Sequence, residues 1–218
     1  MAGTREDGTD EERKMAGPTR NSERGAATRE QFVAVGMRLF AERGYDDTSI
    51  EAVLQATGAS RGSLYHHFKG KDALFEAVLE TVETDVGQRT IAATAGAADA
   101  VEALRAGCLA WIRIAGDPVV QRILLIDAPA VLGWQRWREL EEHHALGMIK
   151  LALGAVAETG RLAPDLVDMF AHVLLASVNE IALLIARADD QAEATRSGAN
   201  AVDELLRRLL GPAQTPSF

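Results

Sequence analysis

The sequence has a single cysteine, Cys108, among its 218 residues, and only 5% of the residues are aromatic. One cysteine excludes an intrachain disulfide and is typical of a reducing cytoplasm. No uninterrupted apolar run approaches the roughly 18 residues that a membrane-spanning helix requires. The first 25 residues also lack the apolar core of a signal peptide. The composition therefore predicts a soluble, cytoplasmic protein without a membrane anchor.

Motifs of the common enzyme and metal sites are also missing. The sequence has no glycine-rich phosphate loop and no nucleophile within a recognisable catalytic motif. Its adjacent histidine pairs, His66 with His67 and His143 with His144, cannot chelate one ion, because neighbouring residues of a helix point about 100° apart. We therefore expect no enzyme activity, no metal and no cofactor.

Positive charge is scarce, since the net charge is −9, but it is unevenly distributed. Residues 20–71 contain eight basic and six acidic residues, whereas residues 72–218 contain 12 basic and 21 acidic residues. A local excess of positive charge permits phosphate binding in an otherwise acidic protein. Any nucleic-acid contact is therefore expected within residues 20–71.

Residues 1–27 contain no Ile, Leu, Val or aromatic side chain. Such a segment cannot offset the entropy lost on ordering, so we expect a disordered tail and a fold that begins near Thr28. From Thr28 onward apolar residues recur with helical spacing, without convincing strand-like alternation. The chain is thus predicted to be all-α, with about nine helices.

The most informative stretch is TGASRGSLYHHFKGKDAL, residues 57–74. The capping box TSIE, residues 48–51, opens a short helix, and after a glycine-containing turn Ser60 caps a second one. Leu64 and Phe68 are the obvious apolar anchors of this second helix, which leaves its outer face polar. Two short helices joined by such a turn are the signature of a helix-turn-helix, whose second helix enters the DNA major groove. The polar positions expected to face DNA are Ser60, Arg61, Gly62, Ser63, Tyr65 and His66.

The run from Phe32 to Leu79, including RLFAERGYDDTSI and GSLYHHFKGKDALFEAVL, resembles the DNA-binding domain of the TetR family of bacterial transcriptional regulators. The resemblance implies a three-helix DNA-binding domain over residues 28–74 and a helical ligand-binding and dimerisation domain over residues 75–218. It also adds Thr48 and Lys71 as phosphate contacts. Both are expected at helix N-termini, where free amides and the helix dipole attract anions.

The candidate ligand pocket lies in the second half of the chain. A long helix is predicted to follow a break at Ala128-Pro129 and to end at Gly160. One of its faces combines two indoles with an acid, an imidazole and a thioether, which suits a flat or apolar ligand with one or two polar groups. The alternative is that these side chains are ordinary packing residues. The candidate pocket residues are Trp111, Trp134, Trp137, Glu141, His144, Met148 and His172.

A helix around residues 170–186 is apolar on nearly all sides, so more than its own domain must cover it. The resemblance implies a homodimer that binds a palindromic double-stranded DNA operator and responds to a small-molecule effector. The predicted function is that of a ligand-responsive regulator, by default a repressor that the ligand releases from DNA. The alternatives are a helical ligand carrier or a small enzyme with a vestigial helix-turn-helix. Activation, and a DNA contact from the N-terminal tail, are left open.

Overall fold

The computed structural model describes residues 20–211, and within that range the chain forms nine helices and no strand. The all-α prediction is therefore confirmed for this part of the chain. Two helices, α6 and α7, each contain a π-helical segment between α-helical ones. The helices are α1 (Arg20–Arg43), α2 (Ile50–Thr57), α3 (Arg61–His67), α4 (Lys71–Thr94), α5 (Ala100–Ile114), α6 (Pro118–Val120, π-helical Gln121–Asp127, Ala128–Leu132), α7 (Trp134–Glu141, π-helical Glu142–Leu146, Gly147–Glu158), α8 (Val167–Ala186) and α9 (Gln191–Leu210).

The first helix is longer than expected. It begins at Arg20, so the prediction of a disordered tail over residues 1–27 is wrong for residues 20–27, while residues 1–19 lie outside the described range. Downstream, α1 is anchored by buried side chains such as Phe32 and Leu39. Extending an existing helix costs far less than nucleating one, so good helix formers such as Arg, Glu and Ala prolong it without a core of their own.

Local signals explain the boundaries of the next two helices. Gly44 and Gly58, with φ of 84° and 70°, adopt the left-handed conformation that ends a helix. Ser60 caps α3 by accepting the backbone N–H of Ser63 at 3.2 Å. The cap of α2 differs from the prediction by one residue, because Ser49 rather than Thr48 accepts the N–H of Ala52.

The apolar core joins the N-terminal helices to the rest of the chain. Phe32, Leu64 and Phe75 belong to the same buried cluster as Ile123 of α6 and Trp137 of α7. A second cluster is built from α5, α7, α8 and α9. Because α4 and α6 contribute to the shared cluster, a displacement of either helix is felt by α1 to α3.

The break predicted at Ala128-Pro129 is wrong. Helix α6 continues through Pro129 to Leu132, and the chain turns at Gly133, whose φ is 79°. Proline is tolerated because it occupies the first turn of the α-helical segment that follows the π-helical one.

Helix α8 is the most apolar element. The stretch Pro164–Ala186 is long and apolar enough, by length and composition alone, to cross a membrane, and 39% of its most apolar window is buried in the monomer. Met169, Val173 and Leu184 are 65%, 43% and 60% exposed along it. One side of this helix is therefore packed in the core, and an apolar stripe remains on the other.

Candidate DNA-binding surface and ligand cavity

Helix α3 is attached to its domain by a narrow apolar edge. Leu64 is fully buried and Phe68, which follows the helix, is 3% exposed. Tyr65 is 46% exposed and His66 is also exposed. His67 instead packs against the rings of Phe32 and Phe68, with centroids 6.2 and 6.3 Å away. Tyr65 and His66 are therefore the two large side chains that α3 presents to the surroundings.

Positive charge at the start of α3 is partly neutralised. Arg61 forms an exposed ion pair with Glu51 in the first turn of α2. Hydrogen bonds from its own backbone and from Arg61 lower the pKa of the Glu51 carboxyl. An Arg61 guanidinium shared in this way remains accessible, and it fixes the start of α3 relative to α2.

Gly62 has no packing role in the monomer. A Cβ placed there would meet only the Ser60 hydroxyl, at 4.0 Å. Glycine in a helix costs about 1 kcal/mol relative to alanine. Since no neighbour within the described chain requires it, the open space around Gly62 suits the close approach of another molecule. Ser60 and Ser63 lie on either side of this gap.

Thr48 requires a correction. Its side chain was expected to contact phosphate, but the residue is fully buried, and its hydroxyl donates to the carbonyls of Gly44 at 2.7 Å and Leu39 at 3.2 Å. The hydroxyl thus satisfies carbonyls at the end of α1, which the chain leaves without helical partners. Ser49 beside it is exposed and caps α2.

Lys71 opens α4 as predicted, and it is held in place by Tyr45. Its Nζ donates to the Tyr45 carbonyl at 2.9 Å and lies 4.0 Å from the centre of the Tyr45 ring. The Tyr45 hydroxyl in turn donates to Asp72, and burial together with this bond raises the pKa of the phenol. An ammonium has three N–H donors, so Lys71 retains donors for an anion at the N-terminus of α4.

The main cavity, of about 590 Å³, lies between α4, α5, α7 and α8. Its walls are mostly apolar. Of the predicted pocket residues, it brings together Trp111, His144 and Met148. Its lining also includes side chains that the sequence argument missed, above all those of α4: Glu83, Thr84, Val86, Gln88, Thr90, Ile91 and Thr94.

The remaining predicted pocket residues lie elsewhere. Trp134 is 58% exposed and stacks on Trp137 with ring centroids 4.8 Å apart. Trp137 is 1% exposed, and its Nε1 donates to the carbonyl of Leu124 at 3.0 Å. His172 of α8 is outside the lining, and the Glu141 side chain lies outside the described part of the structure.

The physical reason is the π-helical segment Glu142–Leu146 within α7. A π-turn bonds residue i to i+5 and so inserts an extra residue, which rotates the helix face that follows. Trp134 and Trp137 precede the insertion, whereas Met148 follows it. The single face assumed from regular helical spacing is therefore split in two.

The polar groups of the cavity centre on Glu83, which is 5% exposed. Its Oε2 lies 2.6 Å from Nε2 of His144. Burial, followed by the neighbouring His143, lowers the pKa of His144. The indole Nε1 of Trp111 is buried and has no hydrogen-bond partner within the described chain.

A polar contact connects α6 to the helix-turn-helix. Asp127, which is 7% exposed, accepts the backbone N–H of Tyr45 at 2.7 Å and pairs with Arg122 at 3.2 Å. Asp127 ends the π-helical segment of α6, and Leu124 of the same segment lines the cavity. The cavity wall and the loop between α1 and α2 are thus joined through one short segment.

Two family models cover most of the chain. Residues 32–78 match bacterial regulatory proteins of the tetR family, and residues 101–209 match a tetracyclin repressor-like C-terminal domain. A solved TetR-family transcriptional regulator from Pectobacterium atrosepticum is 31% identical, covers 90% of this chain and 100% of its own, and superposes with a TM-score of 0.78. A TetR transcriptional regulator from Chloroflexus aurantiacus, 22% identical with a TM-score of 0.67 over 85% of this chain and 97% of its own, supports the fold alone.

Curated relatives match in the DNA-binding part. The HTH-type transcriptional regulator AcrR of Shigella flexneri is 38% identical over 61 residues, 28% of each chain. The HTH-type transcriptional repressor Rv1474c of Mycobacterium tuberculosis is 49% identical over 53 residues, 24% of this chain and 28% of its own. The chain therefore spans only about 28% of the length of these curated relatives. Together, the two family models and the full-length structural relative show that the chain belongs to the TetR family of bacterial transcriptional regulators.

Proposed function

We propose that the protein is a ligand-responsive transcriptional repressor that binds a palindromic double-stranded DNA operator. The observation that carries the proposal is the surface of α3. Leu64 and Phe68 hold this helix, while Tyr65 and His66 remain exposed and Gly62 leaves room for a second molecule. Such a helix has the exposed donors and the open backbone that major-groove recognition requires.

The partner in solution is a second copy of the same chain. The exposed stripe of α8, formed by Met169, Val173 and Leu184, continues from Leu166, which is 41% exposed. A contiguous apolar stripe on a soluble protein marks an interaction surface. A second copy accounts for it, because a two-fold axis places identical stripes against each other and presents two α3 helices to DNA.

The dimer is tested by its mass and by one charge. Leu184→Lys should convert the dimer to monomer in sedimentation, because a lysine at a self-facing stripe is repeated on both subunits. Ile91→Lys is the matched control, since Ile91 is 58% exposed on α4 and Leu184 is 60% exposed. A wild-type monomer at micromolar concentration, or an unchanged mass for Leu184→Lys, contradicts the proposal.

Release from DNA follows from the connection between the cavity and α3. Helix α4 supplies one wall of the cavity and begins at Lys71, directly after α3. A ligand that prefers a tilted α4 shifts the population toward that state. The two recognition helices then leave the spacing of about 34 Å that successive major grooves demand, and affinity for the operator falls.

DNA binding is tested on the DNA upstream of the protein's own coding sequence. The double variant Tyr65→Ala, His66→Ala should lose specific binding in fluorescence anisotropy while its circular dichroism and mass stay unchanged. His143→Ala removes an equally exposed histidine from α7 and should leave binding intact. Normal binding by the folded double variant refutes the assignment of these two residues. Absence of specific binding by the wild type to any DNA in a random-sequence selection refutes the function itself.

A further inference from the structure

The cavity holds a charged group in unusually apolar surroundings. Glu83 is 5% exposed, and its neighbours on α4, Leu79 and Val82, are buried in the core. Within the described chain, Glu83 is the one carboxylate in the lining, and no lysine or arginine joins it there. A buried carboxylate without a cation is expensive, so it is kept only where something compensates its charge.

His144 does not supply that compensation. Its Nε2 is 2.6 Å from Oε2 of Glu83, a distance that a hydrogen bond from a neutral imidazole satisfies. Burial and the adjacent His143 lower the pKa of His144, which favours the neutral ring. The imidazole then donates one N–H and orients the carboxylate, and the pair keeps the negative charge of Glu83.

The rest of the cavity suits an apolar body. Leu104, Trp111 and Leu175 are among its walls, and its volume is about 590 Å³, within the usual range for a small-molecule site. Ile91 and Leu151 also line it, although they are 58% and 78% exposed. Lining residues that are so exposed must lie at the mouth, which is therefore apolar as well.

We propose that this cavity binds a lipophilic amine, with the protonated nitrogen on the Glu83 carboxylate and the apolar body against the indole of Trp111. Opposite charge at hydrogen-bond distance replaces the hydration that Glu83 loses on burial. An anionic ligand would meet like charge in a site of low polarity and is excluded. The proposal rests on the proposed function only in so far as this cavity is the effector site.

The test compares three probes with the same ten-carbon chain: decylamine, 1-decanol and decanoate. Each is titrated, below its aggregation concentration, into the full-length wild-type protein in a calorimeter. Decylamine should bind at least about 100-fold more tightly than decanoate and about 10-fold more tightly than decanol, as expected for a charge-assisted hydrogen bond in place of a neutral one. Equal or tighter binding of decanol or decanoate overturns the proposal, and so does the failure of all three to bind.

A matched pair of variants assigns the charge to Glu83. Glu83→Gln keeps the shape of the side chain and should weaken decylamine about 10-fold or more, while decanol changes less than about 3-fold. Glu80→Gln, an exposed position on the same helix outside the cavity, should change neither. Unchanged affinity of decylamine for a folded Glu83→Gln protein overturns the assignment.

Operator binding is measured on the same preparations, so the two proposals fail separately. If decylamine binds through Glu83 but no preparation binds specific DNA, the amine site stands and the repressor proposal falls. If operator binding is intact and the amine fails to bind, only the class of ligand is wrong.

Discussion

Replacing Asp127 by alanine should destabilise the protein by about 3 kcal/mol. The carboxylate accepts the N–H of Tyr45 at 2.7 Å, and a hydrogen bond to a charged group contributes about 1.5–3 kcal/mol. The ion pair with Arg122 adds at most about 1 kcal/mol, because the Arg122 side chain is 40% exposed. Alanine also leaves the Tyr45 N–H without an acceptor in a part-buried site, which places the total near the upper part of this range.

The assay is urea unfolding at one fixed protein concentration, since the stability of a dimer depends on concentration. In a thermal scan the same loss corresponds to a decrease in Tm of roughly 6–12 °C for a chain of this size. Asp127→Asn keeps an acceptor for the Tyr45 N–H and should cost about 1 kcal/mol.

Asp85→Ala is the matched control, because Asp85 pairs with Arg89 on the surface of α4 and is 59% exposed. Its loss should cost less than about 1 kcal/mol. If Asp127→Ala is no less stable than Asp85→Ala, then the contact between α6 and the loop before α2 contributes nothing, and the reasoning from its geometry is refuted.

Two further predictions concern buried groups. Thr48→Val should lower stability by about 1–2 kcal/mol, because it deletes the hydroxyl that donates to Gly44 and Leu39. The salt dependence of operator binding should not change, and a reduced salt slope would return Thr48 to the phosphate contacts. Cys108 should react with a thiol reagent at pH 8 at least about 1000-fold more slowly in the folded than in the unfolded chain, since burial raises the pKa of the thiol to about 12 and reagents attack the thiolate. Comparable rates in native buffer and in urea would contradict this environment.

The DNA-binding part of the fold could be read from the sequence because its signals are local. Gly44 and Gly58 end helices through their own backbone conformation, and Ser60 caps α3 through a bond three residues away. The spacing of Leu64 and Phe68 identifies the buried edge of α3 without reference to any distant residue. Thr48 was misjudged for the opposite reason, because its hydroxyl bonds backward to the carbonyl of Leu39, a contact that exists only once the turn has folded.

The ligand cavity could be predicted only in part. Helical periodicity correctly placed Trp111, His144 and Met148 on inward faces, but it could not show that the π-helical segment Glu142–Leu146 rotates Trp134 out of their row. A single extra residue in one turn leaves no clear mark in the pattern of apolar residues.

By itself, the sequence determined the all-α class, the helix-turn-helix and the family, because these depend on periodicity, caps and turns within short segments. Only the tertiary structure decided which residues form the cavity. Glu83 and His144 are far apart along the chain, and their carboxylate and imidazole meet because α4 and α7 pack against the same space. Periodicity specifies which face of a helix is buried, whereas the identity of the helix that faces it follows from how the whole chain packs.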